Sequence, residues 1–303
     1  KQDIAAATEV ISIQLRDPDT GRVIETKTLV AGQDYAINYI QGVLTLTRPM
    51  QSSLANGLFD IGSPRDADLV LIAAYEHTPT AGDVDGFAYG ARAEGWITDN
   101  LRVGVSGMLD ETGATDHQVV GADVMFALSD KTFVRVDYAQ SEGTGFDSTF
   151  SADGGLIVAD VASTGSSGEA IKVTAEADLT ELGLAANGNI SGYFEQRSVG
   201  FSTLDVSVTD STGDEEFYGI AMDVAVNDRL TVTAGVDRYE NAVGVTKTDG
   251  TLQFEYAAND QFTYALGVEM QDNTGGTDPG SRTDVAAQIT YAPNDASSVY
   301  VFG

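Results

Sequence analysis

Residues 218–236 read Tyr-Gly-Ile-Ala-Met-Asp-Val-Ala-Val-Asn-Asp-Arg-Leu-Thr-Val-Thr-Ala-Gly-Val, and their alternation decides the fold. Tyr218, Ile220, Met222, Val224 and Val226 occupy every second position. After Asn227-Asp228-Arg229 the same alternation resumes with Leu230, Val232, Ala234 and Val236. A period of two marks a strand with one apolar face. Asn and Asp between two such runs mark a turn, because their short side chains bond the backbone just ahead. The stretch is therefore a hairpin.

The short acidic turn recurs outward from this stretch. It appears as Thr98-Asp99-Asn100, Ser129-Asp130-Lys131, Asn259-Asp260-Gln261 and Asn294-Asp295-Ala296, with a looser copy at Thr180-Glu181. Alternating runs flank each copy. Phe87, Tyr89, Ala91, Ala93 and Ile97 lead into the first, and Leu101, Val103, Val105 and Leu109 leave it. Ile171, Val173, Ala175 and Ala177 approach the third, and Leu182, Leu184, Ala186, Ile190 and Phe194 follow it. Between turns lie longer stretches rich in Gly, Ser, Thr and Asp, notably 141–168, 196–216 and 271–281. Short turns on one side and long loops on the other give the rhythm of an up-and-down β-barrel in an outer membrane.

The opposite parity carries charge in mid-strand: Arg92, Glu94, Arg102, Asp123, Arg135, Asp137, Lys172, Glu176, Asp223, Glu255 and Glu269. In a membrane barrel these residues face the lumen while the apolar parity faces lipid. In a soluble sandwich the two faces exchange roles. The runs favour the membrane, because they reach about ten residues where strands of globular proteins average about five or six. Aromatics near strand ends, namely Trp96, Phe133, Phe217, Tyr218, Phe262, Tyr291 and Tyr300, suit interfacial girdles.

Residues 1–80 differ in texture. Val10–Leu15 and Val23–Leu29 alternate around the turn Asp17-Pro18-Asp19-Thr20-Gly21, and a second hairpin turns at Gln41-Gly42. The dense run Leu69–Glu76 either closes this small module or begins the barrel wall. The expected organisation is a module over residues 1–68 and a barrel over 69–303. The expected fold is all-β: an antiparallel up-and-down transmembrane β-barrel of about 12–14 strands with a small N-terminal β-hairpin module. The final residues 298–303 read as a strand cut midway, so a longer chain is expected.

Composition bounds the function. Lys plus Arg number 16 against 46 Asp plus Glu, a formal charge of −30. Phosphate backbones need a basic face, so nucleic acid is excluded as a partner. There is no cysteine, and hence no disulfide or thiolate chemistry. Motifs of the HExxH type and phosphate-binding glycine loops are absent from the sequence, and no enzymatic activity is expected. His117 lies beside Asp110, Glu111 and Asp116 and is expected to be a solvated loop histidine. The acidic stretches 210–216 and 272–278 offer oxygen ligands for weak divalent-cation binding, but lack the spacing of an EF-hand loop. No other cofactor is expected.

The stretch 29–50, Leu-Val-Ala-Gly-Gln-Asp-Tyr-Ala-Ile-Asn-Tyr-Ile-Gln-Gly-Val-Leu-Thr-Leu-Thr-Arg-Pro-Met, resembles the G-x-D-Y-x-I-x-Y-x-x-G hairpin found beside barrels in large bacterial surface proteins. Its members here are Gly32, Asp34, Tyr35, Ile37, Tyr39 and Gly42. Residues 69–107 resemble the junction into the outer-membrane barrel of large, repeat-bearing proteobacterial cell-surface proteins. The resemblance spans roughly residues 15–155 and brings no catalytic residues. It implies a bacterial outer-membrane location, contact with membrane lipid and lipopolysaccharide, and other domains or surface proteins as partners. The function expected is a structural barrel that anchors or scaffolds a surface protein. The alternatives are a cation-preferring pore and a soluble all-β adhesin.

Overall fold

The computed structural model describes residues 3–16, 23–47, 68–77, 86–111, 116–143, 148–150, 159–161, 167–184, 186–203, 213–276, 279–294 and 297–302. The chain divides into two compact units, Lys1–Val84 and Asp85–Gly303.

The first unit contains β1 (Val10–Arg16), β2 (Val23–Thr28), β3 (Tyr35–Asn38), β4 (Val43–Leu46) and β5 (Asp68–Ala74). β1 is the centre of an antiparallel sheet ordered β2-β1-β5, and β3 pairs with β4 as a separate hairpin. The core is Ile11, Ile13, Leu29 and Tyr35, with Ile37, Leu44, Leu46, Leu69 and Leu71 packed against it. Alternation explains this set, since each strand sends every second side chain inward. The motif residues have visible tasks. Gly32 takes a φ of 79° that other residues resist. The Asp34 carboxylate accepts the Val30 amide at 3.0 Å. The Tyr35 and Tyr39 hydroxyls both donate to the Glu9 carboxylate, at 3.3 and 2.9 Å, tying the hairpin to the start of β1. Burial acts to raise the Glu9 pKa, but hydrogen bonds from backbone and both tyrosines outweigh it and hold the carboxyl below its ordinary range.

β5 belongs to this unit, in register with β1 through Ile13↔Leu71 and Leu15↔Leu69. It is therefore not the first strand of the large sheet, and the boundary falls at 84/85 rather than 68/69. The reason lies in its composition. Leu69, Leu71 and Ala73 are apolar, as are Val70, Ile72 and Ala74, so the run lacks the charge-bearing parity that β6–β9 and β12–β18 carry.

The second unit is built on one twelve-stranded sheet with order β19-β18-β17-β16-β15-β14-β13-β12-β9-β8-β7-β6. Its strands are β6 (Ala88–Trp96), β7 (Leu101–Asp110), β8 (His117–Ala127), β9 (Phe133–Glu142), β12 (Gly168–Asp178), β13 (Asn187–Arg197), β14 (Glu215–Asn227), β15 (Leu230–Asn241), β16 (Thr246–Asn259), β17 (Phe262–Thr274), β18 (Gly280–Asn294) and β19 (Ser297–Phe302). The minor hairpin of β10 (Ser148–Phe150) and β11 (Ala159–Val161) interrupts the succession. Every neighbouring pair is antiparallel. β6 and β19 are the two edges of this order, and no pairing joins them among the described residues.

The strands lengthen along the chain, from nine residues in β6 to fifteen in β18. The added length is polar on both faces, because Glu216, Glu240, Thr248, Asp272 and Thr283 occupy the otherwise apolar parity at the loop ends. Not every connection on that side is long, since only residues 242–245 separate β15 from β16.

The short turns share one device. Thr98 Oγ1 accepts the amides of Asn100 and Leu101 at 3.3 and 3.1 Å. Ser129 Oγ accepts those of Lys131 and Thr132 at 3.0 and 3.1 Å. Asn227 Oδ1 takes Arg229 and Leu230 at 2.9 and 3.0 Å, and Asn259 Oδ1 takes Gln261 and Phe262 at the same distances. The residue before the aspartate thus holds the turn, while Asp99, Asp130, Asp228 and Asp260 are exposed. At the third turn the cap is Asp178, not Thr180, and Leu182, Leu184 and Ala186 precede β13 rather than forming it. Asp295 and Ala296 of the last copy, the turn at 17–21 and residues 151–158 of the stretch 141–168 lie outside the described residues. The Ser129 hydroxyl also donates to Glu181 at 2.6 Å and holds that carboxyl below its ordinary pKa.

Replacing Asn227 or Asn259 by Ala removes two amide partners at once and should cost about 1 kcal/mol each, read as a lowered urea midpoint. A mid-strand exposed control such as Ser106→Ala should move it less. For Glu9 the sign follows from its lowered pKa: its contribution is present above the unfolded carboxylate pKa and fades as pH falls through the folded value. Hydrogen exchange at residues 10–16 and 35–46 should accelerate across that acidic window in the parent. In Glu9→Gln the extra pH dependence should vanish.

Candidate functional site

Directly opposed residues in a sheet share a face, so the register assigns every side chain of the large sheet to one side. One continuous row runs Glu94, Gly104, Asp123, Asp137, Lys172, Glu195, Phe217, Tyr239, Lys247, Asn273, Gly280. Parallel rows an even number of residues away place Arg92, Arg102, Arg135, Glu176, Asp223, Glu255 and Glu269 on the same side. All eleven charged candidates therefore share one face. The row is slanted: Glu94 lies near the turn end of β6, whereas Gly280 is the loop-end residue of β18.

On several strands, exposure on the two faces is the reverse of a globular protein. Along β8 the polar-parity residues His117, Asp123 and Ala127 are buried, while Val120, Ala122, Val124 and Phe126 are exposed. β9 repeats this, with Val134, Val136 and Tyr138 exposed and Phe133, Arg135 and Asp137 partly covered. Far along the sheet Ile220 is 56% exposed, Leu266 50% and Val285 65%. The girdle aromatics divide. Tyr218, Phe262 and Tyr291 lie on the apolar face, but Trp96, Phe133 and Phe217 have the polar parity. Phe217 is buried there, 5.0 Å from the Tyr239 ring and under the Arg197 guanidinium, so it is not a girdle residue.

The charges form a network on the early strands. Arg92 bonds both Glu94, at 2.9 Å, and Asp123, and Arg102 approaches Glu94 at 3.7 Å. Arg135 pairs with Asp137 at 2.5 Å; Lys172 reaches Glu195 at 3.3 Å, and Arg197 shares that glutamate. Pairs this exposed contribute about 0–1 kcal/mol each. Asp123 is different, because its carboxylate is buried and a buried charge is tolerated only when paired. Gly104 stands directly opposite, and a Cβ there would come within 2.5 Å of Asp123 Oδ1 and 2.7 Å of Arg92 Nη2. The glycine makes the space the ion pair occupies. Gly219 does the same for the Tyr193 hydroxyl, which donates to Asp237 at 2.5 Å.

On β14 to β18 the same face is dominated by acids: Asp223, Asp237, Asp249, Glu255, Glu269 and Asp284, against Lys247 and Arg282. Thr233 donates to Asp223 at 2.8 Å, and Arg282 pairs with Asp284 at 2.8 Å. Glu195 and Arg197 complete the network, although alternation alone does not single them out. A signal existed: basic and acidic residues recur two apart, as in Arg92/Glu94, Arg135/Asp137, Glu195/Arg197 and Arg282/Asp284, and strand geometry puts such pairs on one face.

His117 and Ser141 correct an expectation. Neither is in a loop. His117 opens β8, Ser141 lies inside β9, and both are buried on the polar face. They are covered by residues 198–203, which follow β13. Ser198 N donates to Glu169 O at 2.8 Å, and Glu169 N donates to Ser198 Oγ at 2.7 Å. Ser202 N donates to Ser141 Oγ at 3.0 Å, and Ser202 Oγ lies 3.3 Å from His117 Nε2. Among the described residues no group of three or more His, Cys, Asp or Glu could hold a metal ion. Parts of the acidic stretches 210–216 and 272–278 lie outside those residues. No family model matches the chain, and no curated relative matches it.

Arg92→Ala strips the buried Asp123 of its cation, whereas Glu94→Ala removes only an exposed partner. Arg92→Ala should therefore lower the urea midpoint more than Glu94→Ala. Gly104→Val, which fills the same space from across the strand pair, should resemble Arg92→Ala. Equal effects of Arg92→Ala and Glu94→Ala would mean that the Asp123 pair does not govern this region.

Proposed function

We propose that the chain is a bacterial outer-membrane β-barrel serving as a structural anchor or scaffold for a surface protein, with the first unit as an accessory β-module. The observation that carries this reading is the uncovered apolar parity, clearest on β8, β9, β17 and β18, opposite a face whose charges are ion-paired and, at Asp123 and Lys247, buried. Water-soluble proteins rarely leave contiguous apolar surface beyond a few hundred Å² exposed. Lipid is the solvent that suits such a face, with charge kept to the interior. Closure follows from the same physics, because an open strand edge is not tolerated in hydrocarbon. The reading thus requires β6 to meet β19, directly or through further strands. The slanted rows support it, since strands must stagger to close a barrel. Lipid and lipopolysaccharide are the proposed surroundings, and other domains or surface proteins the proposed cargo.

A second reading, a cation-preferring pore, is favoured by one observation: the acids of β14 to β18 outnumber the bases on the polar face. An acidic lining prefers cations.

Extraction separates the membrane readings from a soluble adhesin. The full chain should need detergent to remain monodisperse, and should migrate differently on gels before and after boiling. Monodispersity in plain buffer would overturn the barrel. Planar bilayers then separate anchor from pore. Electrical silence supports the anchor, and stable steps with cation-selective reversal potentials support the pore.

A further inference from the structure

The residues after β13 do something an external loop has no reason to do. Instead of leaving the sheet at its loop end, Ser198–Thr203 turn back across the polar face. Gly200, at a φ of 86°, permits the reversal. The segment first clasps β12 through the paired bonds between Ser198 and Glu169. It then passes so close over Gly168 that a Cβ at that position would sit 2.1 Å from Phe201 N. It continues to Ser141 on β9 and His117 on β8. Phe201 and Ser202 are both buried there. Three successive strands thus each offer one fitted contact: a glycine that makes room, a serine that accepts an amide, and a histidine that meets a hydroxyl. All three have the parity of the charged face.

We infer that Ser198–Thr203 is an inward strap that constricts the interior of the barrel at its loop end. The inference rests on the barrel reading. It deepens that reading by explaining why an interior lined with acids need not conduct in the resting protein. The strap covers the wall formed by β8, β9 and β12. That wall adjoins the ion-paired network of Arg92, Asp123 and Arg135, so the narrowest level lies on the early-strand side. The acidic lining of β14 to β18 remains as the complementary half of the passage. Displacing the strap therefore opens a route whose lining prefers cations.

Gly168 supplies the means of displacement. Its φ is outside the left-handed region, so β12 accepts a side chain there, but the strap does not. In Gly168→Val the strap should be expelled while the strands keep their register. The expected result in planar bilayers is a rise in unit conductance of several-fold over the parent, with cation-selective reversal. The pair Ser141→Ala with Ser202→Ala weakens the strap without adding bulk and should show frequent transient openings, which guards against a misfolded Gly168 variant. Because the chain has no cysteine, Ser202→Cys gives a single thiol. Bulky maleimides should label it slowly in the otherwise native protein and rapidly when Gly168→Val is added. Folded, heat-modifiable variants with the conductance and labelling rate of the parent would overturn the strap while leaving the barrel intact. A parent that is monodisperse without detergent would overturn both.

Discussion

One constraint organises the second unit: in a sheet, residues that face each other across strands share a side. Eleven successive antiparallel pairings carry this rule from β6 to β19. A slip of one residue at any pairing would turn every later strand inside out. A slip between β7 and β8 would take Asp123 from Arg92 and set it beside Val103 and Val105. The cost of an unpaired buried charge on one face, and of misplaced apolar side chains on the other, holds the register from both sides. The turn caps act at the same level. By fixing where each hairpin reverses, Thr98, Ser129, Asn227 and Asn259 fix which residues can oppose one another.

The two units apply the same hydrophobic logic in opposite senses. In the first, Ile11, Ile13 and Leu29 are buried against the β3–β4 hairpin, as water demands. In the second, Val120, Val124, Leu266 and Val285 are exposed while Asp123 and Lys247 are buried. Both arrangements come from one alphabet and one periodicity. What differs is the charge-bearing parity: β5 lacks it, and β6–β9 and β12–β18 each carry it. That difference places the boundary between the units.

Much of this was legible in the sequence because it is local. Alternation gave the strands, and the eleven charges could be assigned to one parity from residue spacing alone. The turns are legible as short acidic stretches, but which residue holds them is not, since the conspicuous aspartate follows the residue that bonds the backbone. Leu69–Ala74 was ambiguous because an all-apolar run fits either unit until its partner is known. His117 looked solvated because its cover arrives from Ser202, 85 residues later, in a stretch of unremarkable composition. Phe217 looked like a girdle residue because proximity to a strand end was weighed above parity. Whether the first and last strands meet leaves no local trace at all, since any edge strand alternates as an inner one does.

The unequal strands have a consequence of their own. A barrel strand crosses the hydrocarbon with about 9–11 residues. β6 has nine and β18 has fifteen, and the surplus is polar on both faces. On the barrel reading, the wall is flush with the membrane where the chain enters it and rises into a palisade along β14 to β18. Water would wet both sides of that palisade. A molecule approaching from outside would find an opening sheltered from one flank only, so the mouth has a preferred direction of approach even before any loop is considered.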